Sequence, residues 1–278
     1  QVVRTLRPRF FVMENVKGML TSKHGGSLIF DRILADLRSP GNGFEYRVRS
    51  LVVDGEELQP QDYVIEAEKF GVPQCRHRVI LFGIRSDLAA SAANLLRQPG
   101  RFQLKVLGSD VGVKTALTGM PALRSRLSKE PDSHASWLSV VKTAPQGMKD
   151  WHMPIRADLE VAMARAFRKA ANYDSFGGRF IEGEISLGET MPEDLRNWLF
   201  DPKLGGVLQH ETRRHMRSDL HRYMFASCFA ALQKYSPKLP LFPPRLLPMH
   251  ENMDAESVPF LDRFRVQLAG EPSTTVVS

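Results

Sequence analysis

Two short stretches carry side chains that can do acid–base and electrostatic work together. The first is Glu14-Asn15-Val16, which follows directly on the apolar run Phe10-Phe11-Val12-Met13. A carboxyl group at the end of a strand in an open sheet points into the crevice where ligands bind. On its own, Glu14 reads better as a cap on the next turn. The second stretch is Phe70-Gly71-Val72-Pro73-Gln74-Cys75-Arg76-His77-Arg78. Arg76 and Arg78 are two residues apart, so an extended backbone projects both to one face. Two guanidiniums on one face repel unless an anion or a polar group lies between them. The alternative is a solvated basic edge.

A third cluster is basic: Arg213, Arg214, His215, Arg217, His221 and Arg222. It suits either a helix that tracks phosphates or a solvated face with arginine stems packed down on it. Gly177 and Gly178, followed by Arg179, either let a backbone come close to a nucleic-acid groove or form a simple turn. His210-Glu211-Thr212-Arg213-Arg214-His215 is not a zinc-protease helix. Its histidines are five apart rather than four and would not share a face. Cys75 and Cys228 are the two cysteines, too few for a disulfide framework or a zinc cluster, which fits a reducing compartment. Cys228 lies among Met224, Phe225, Phe229 and Leu232 and reads as core.

Several elements must position these groups. The run over residues 9–13 reads as a buried strand. Leu28, Ile29, Ile33, Leu34 and Leu37 recur at helical spacing, and Ser39-Pro40-Gly41-Asn42-Gly43 ends that helix. Alternation over residues 46–52 and the apolar run Val79-Ile80-Leu81-Phe82-Gly83-Ile84 predict two further strands. Strand, helix, strand, strand is the pattern of half a doubly wound α/β sheet. After about Leu117 periodicity weakens and Pro and Gly punctuate more often, with helices expected over residues 158–171 and 218–235. A loop-rich second domain following an α/β half is the economical reading.

The 278 residues carry 38 Lys and Arg against 31 Asp and Glu, a net charge of +7, with 42% hydrophobic residues. That is enough apolar content for a real core, and no apolar run approaches bilayer length. The basic balance suits a polyanion but does not choose among its kinds. The first nine residues are too short and too basic for a signal peptide.

Taken together, an apolar strand ending in Glu14-Asn15-Val16, a helix, and then Gly71-Val72-Pro73-Gln74-x-Arg76-x-Arg78 feeding a strand resembles the cytosine-C5 DNA methyltransferases. The resemblance covers about Phe10 to Leu117, where Val113-Lys114-Thr115-Ala116-Leu117 is similar to the family's approach to its target-recognition domain. A weaker likeness runs from His210 through Tyr223 and reappears at Asp262-Arg263-Phe264-Arg265-Val266-Gln267 and Pro272-Ser273-Thr274-Thr275-Val276. It implies a partial catalytic α/β domain over 1–117, the second half of a Rossmann-like sheet. A target-recognition domain follows over 118–255, and 256–278 starts the return to the catalytic domain.

The resemblance further implies the chemistry. A cytosine flipped out of duplex DNA is held by its Watson–Crick edge, and a cysteine thiolate adds to C6 so that C5 can take a methyl group from S-adenosylmethionine. By this likeness Glu14 serves N3, Arg78 or Arg76 stabilises charge at O2, and Asn15 and Gln74 brace the pocket. Arg213, Arg214, Arg217, Gly177 and Gly178 are the candidates for DNA contact. The family's Pro-Cys-Gln nucleophile loop and its Gly-containing donor-binding strand are absent from this sequence. Pro73-Gln74-Cys75 has the same three residues in the wrong order. The expectation is a fragment, inactive in isolation. Its N-terminal half would be on the same or a second chain, its partner double-stranded DNA and its location cytoplasmic or nucleoid-associated. A DNA-binding remnant without catalysis is the alternative.

Overall fold

The structure is a computed structural model that describes residues 1–55, 57–91, 100, 102–108, 110–188, 190–248 and 264–275. Asp262, Arg263 and Val276, and the expected boundary at 255/256, lie outside the described residues. The chain divides into two compact units, Gln1–Val111 with Thr274–Ser278, and Gly112–Ser273.

The first unit is mixed α/β. Strand β1 (Phe10–Val16) runs on through the Glu-Asn-Val motif, and helix α1 (Ile29–Arg38) follows it. Then come β2 (Tyr46–Arg49), β3 (Val64–Glu66) and the long β4 (His77–Arg85). β4 is central: β1 pairs along one edge, and β2 and β3 pair end to end along the other, all antiparallel to it. The α/β character expected from the sequence is present, in a four-stranded sheet in which every pairing is antiparallel. β1 and β2 do run in the same direction, as a strand–helix–strand unit would, but β4 returns between them.

Period-two alternation explains the layering. Phe11 and Met13 of β1, with Val79 and Leu81 of β4, face inward against Phe30 and Leu34 of α1 and against Val48 and Tyr63. Gly83 stands directly opposite Phe11, and the Phe11 ring occupies the space that a β-carbon at position 83 would need. On the other face of β1, Phe10, Val12, Glu14 and Val16 are exposed.

The second unit is built on helices α2 (His134–Lys142), α3 (Arg156–Ala170) and α5 (Arg217–Gln233), with a short α4 (Glu193–Leu199). The two longest are those the periodicity predicts. Phe225, Phe229 and Cys228 of α5 pack with Leu159 and Met163 of α3, Met148, Trp151, Phe242 and Phe264 in one core. Phe242 and Pro243 are buried, so the Pro-rich stretch forms a wall of this core. Arg222, itself buried, donates to the carbonyls of Leu246 and Leu247 and to Asp219, which ties that wall to α5. A two-stranded antiparallel ribbon, β5 (Gly177–Glu182) with β6 (Gly206–Glu211), completes the unit. No helix among the described residues is long and apolar enough to cross a membrane.

Candidate functional site

Antiparallel pairing sets Val16 opposite Arg78 and Glu14 opposite Ile80. Glu14 and Arg78 are therefore diagonal neighbours on one face, within reach of long side chains. Arg78 Nε lies 2.8 Å from Glu14 Oε1, an ion pair. Arg78 also donates from Nη1 to the His77 carbonyl at 2.8 Å, which fixes the guanidinium plane. The carboxylate side chain is 51% exposed and the guanidinium side chain 19%. A pair this open adds little to stability, roughly 1 kcal/mol at most. Its consequence is positional: a carboxylate oxygen and N–H donors are presented side by side at the edge of a sheet.

Asn15 points to the opposite face and accepts from the Val16 amide at 2.8 Å, steadying the end of β1. Gln74 and Cys75 form a two-residue strand. The amides of Gln74 and Arg76 turn back to the carbonyls of Val72 and Gln74, at 2.7 and 2.9 Å. These tight turns take Arg76 out of regular strand. It is exposed, and among the described residues it forms no ion pair. The structure thus brings Glu14 to Arg78 and leaves Arg76 separate, whereas an extended backbone would have put both arginines on one face.

Two residues with no role in the sequence reading support this corner. His77 Nε2 lies 2.7 Å from Glu68 Oε1, and the Glu68 side chain is 13% exposed. Glu68 Oε2 is buried without a partner among the described residues. Lys69 pairs with Glu66 alongside. His77 faces away from Arg78, so its bond to Glu68 anchors the first residue of β4 while the next residue faces Glu14. Strict alternation within the Gln-x-Arg-x-Arg stretch is the signal that could have identified His77; nothing in the sequence pointed to Glu68. The hydroxyl of Thr275 donates to the Cys75 carbonyl at 2.8 Å, fastening the end of the described chain to the motif.

Cys75 is half-buried. Burial in the helical core pushes the Cys228 thiol up to about 11, consistent with a packing role.

In the second unit Arg213 and Arg214 are exposed and lie between the ribbon and α5. Arg217, the first residue of α5, reaches Glu130 at 3.3 Å. Gly177 has φ +83°, and a β-carbon there would collide with the His210 carbonyl. Close backbone approach within the ribbon is thus reason enough for that glycine. Gly178 pairs with His210 in the ribbon and has no crowding neighbour.

Comparison with known proteins gives these features a context. Residues 1–130 match the family model for C-5 cytosine-specific DNA methylase. The type II methyltransferase M.Bpa9945I of Bacillus paralicheniformis is 29% identical over 126 residues, 45% of this chain and 25% of that protein. The type II methyltransferase M.BspRI of Lysinibacillus sphaericus is 37% identical over 83 residues, 30% of this chain and 15% of that protein. The DNA (cytosine-5-)-methyltransferase M.ApeKI of Aeropyrum pernix is 30% identical over 101 residues, 32% of this chain and 20% of that protein. The chain spans a quarter or less of the length of these relatives. The resemblance carried by the two motifs therefore stands: residues 1–130 belong to the C-5 cytosine-specific DNA methylase family.

Proposed function

We propose that the chain is the central part of a DNA (cytosine-5-)-methyltransferase, holding the base pocket and the DNA-reading region. The observation that carries this reading is the Glu14–Arg78 pair at 2.8 Å, presented open at the end of β1. The first unit is then a piece of a larger doubly wound sheet, and the second unit is the target-recognition domain.

Addition of a nucleophile at C6 of a flipped cytosine pushes electron density toward N3 and O2 of the ring. A carboxyl at N3 takes up or shares the proton there, and a guanidinium N–H at O2 stabilises the developing negative charge. Glu14 does the first and Arg78 the second. Both are set on paired strands rather than on loops, so their relative placement costs little reorganisation when the base arrives. Asn15, Gln74, Glu68 and His77 hold the two strand ends, and Arg76 is free to reach the DNA backbone.

S-adenosylmethionine, the donor the family implies, would supply an electrophilic methyl group. In the first unit a hollow of about 520 Å³ does not fit it: Arg38, Arg47 and Arg49 outnumber the lone carboxylate Glu45 in its lining, a poor site for a sulfonium cation. The donor site and the cysteine nucleophile are assigned to sequence outside these 278 residues, on the same chain or a second one. The substrate is duplex DNA, which would put the protein's work at the nucleoid.

The test is to incubate the purified chain with tritiated S-adenosylmethionine and mixed-sequence duplex DNA. Background incorporation together with measurable duplex binding is expected. Turnover by this chain alone would refute the division of labour, and no DNA binding at any salt would remove the substrate assignment.

A further inference from the structure

The β5–β6 ribbon has chemistry that the base pocket does not use. Leu208 stands opposite Phe180, and His210 opposite Gly178, so Gln209 and Arg179 occupy the positions between those pairs on the two strands, where the pairing is interrupted. Both are exposed, and among the described residues neither side chain makes a hydrogen bond or an ion pair. Gln209 has φ +54°, inside a strand. A residue with a side chain adopts that conformation only where its surroundings impose it, and such outliers cluster at functional positions.

The root of the ribbon is fastened on both sides. His210 Nε2 lies 2.7 Å from the Pro121 carbonyl. The Thr212 hydroxyl donates to the Arg124 carbonyl at 2.8 Å, and its amide donates to the Phe176 carbonyl at 3.0 Å. Arg124 is buried and bound to both oxygens of Asp132. A rigid two-stranded ribbon is one of the two elements whose width fits the major groove of B-DNA. Arginine makes paired hydrogen bonds to guanine O6 and N7, and glutamine to adenine N6 and N7. Arg213 and Arg214 follow the ribbon directly and suit the flanking phosphates. The carboxylate at the root, Glu211, lies 3.9 Å from Arg126, so it is partly neutralised.

We propose that Arg179 and Gln209 are specificity-determining residues that read adjacent base edges in the major groove of the DNA. This rests on the reading that the chain acts on duplex DNA.

The test is selection of preferred sequences from a randomised duplex library by the 278-residue chain and its variants. Salt-dependent affinity for one fixed 30-bp duplex is measured alongside. Wild type should select a preferred word. Arg179→Ala and Gln209→Ala should each lose about ten- to hundredfold discrimination at one position of it, with the salt slope unchanged. Gln209→Gly is the folding control: it relieves the positive φ, so it should be at least as heat-stable as wild type and still lose the preference. The same word selected by all variants, or no word selected by a wild type that binds DNA, overturns the inference and leaves the duplex-DNA reading intact. A wild type that binds no duplex overturns both.

Discussion

The Glu14 carboxylate and the Arg78 guanidinium meet at 2.8 Å although their backbones are not opposite each other; Val16 stands across from Arg78. The diagonal leaves one carboxylate oxygen beyond the contact, on a side chain 51% exposed. A directly opposed pair would bury each group in the other. In this arrangement the arginine aims the carboxylate and leaves it room to accept a ligand.

The strands that carry this pair depend on a close approach behind them. The Phe11 ring lies in the space a side chain at Gly83 would occupy, and it also packs against Tyr46 at 5.3 Å between centroids. Gly83→Ala should destabilise the chain by about 1–3 kcal/mol, the usual range for overpacking a filled core. A lower urea midpoint at unchanged slope is the expected reading. The double variant with Phe11→Ala should lose less than the sum of the single losses, because the two residues share one space. Strict additivity would show that the contact does not govern the packing.

Burial holds His215 and His221 below the usual histidine range. His221 Nε2 lies 2.9 Å from the Val140 carbonyl and 3.3 Å from Thr143 Oγ1, between α5 and α2. The charged form is disfavoured when folded, so the unfolded chain binds protons more readily. The associated stability is present in full above the unfolded value, about 6.5, and is lost as pH falls through the lower folded one. The second unit should therefore melt at a lower temperature at pH 5.5 than at pH 7.5. His221→Gln should reduce that difference, and an identical pH dependence in the variant would remove His221 as its source.

If Arg213 and Arg214 contact phosphates, reversing both to Glu should weaken binding to all duplex sequences about equally. It should also reduce the log–log salt slope by roughly two units. An unchanged slope would move the DNA path to another face.

Much of the first unit was legible because its signals are local. The apolar runs that became β1 and β4, the stripe that became α1 and the Pro-Gly stop after it each depend on neighbours within one element. The residue types at the pocket were legible for the same reason. Their pairing was not, since it needs a register: alternation alone puts Arg76 and Arg78 on one face, and the tight turns at Gln74 and Arg76 undo that. The order of strands was also out of reach, because the return of β4 between β1 and β2 is set by long-range packing. In the second unit the α3 and α5 stripes were visible. The β5–β6 ribbon was not, since 23 residues (183–205) separate its strands and Gln209 adopts a backbone no propensity predicts.

The pocket itself is tested in the complete enzyme, with the nucleophile and donor-binding segments present. Glu14→Gln keeps the size and most of the hydrogen bonding but cannot exchange a proton at N3. It should lower the methylation rate on the order of a hundredfold or more while DNA affinity changes little, since the lost interaction develops in the transition state. Arg78→Ala removes both the O2 donor and the group that aims Glu14, so its rate loss should be at least as large, with some weakening of the flipped-base complex. Combining the two should cost much less than the product of the single effects, because they act as one unit. Cys75→Ser should leave the rate nearly unchanged, since serine is close in size and keeps the backbone carbonyl that accepts from Thr275. An inactive Cys75→Ser beside a fully active Glu14→Gln would transfer the chemistry to the cysteine and end the case for this pocket.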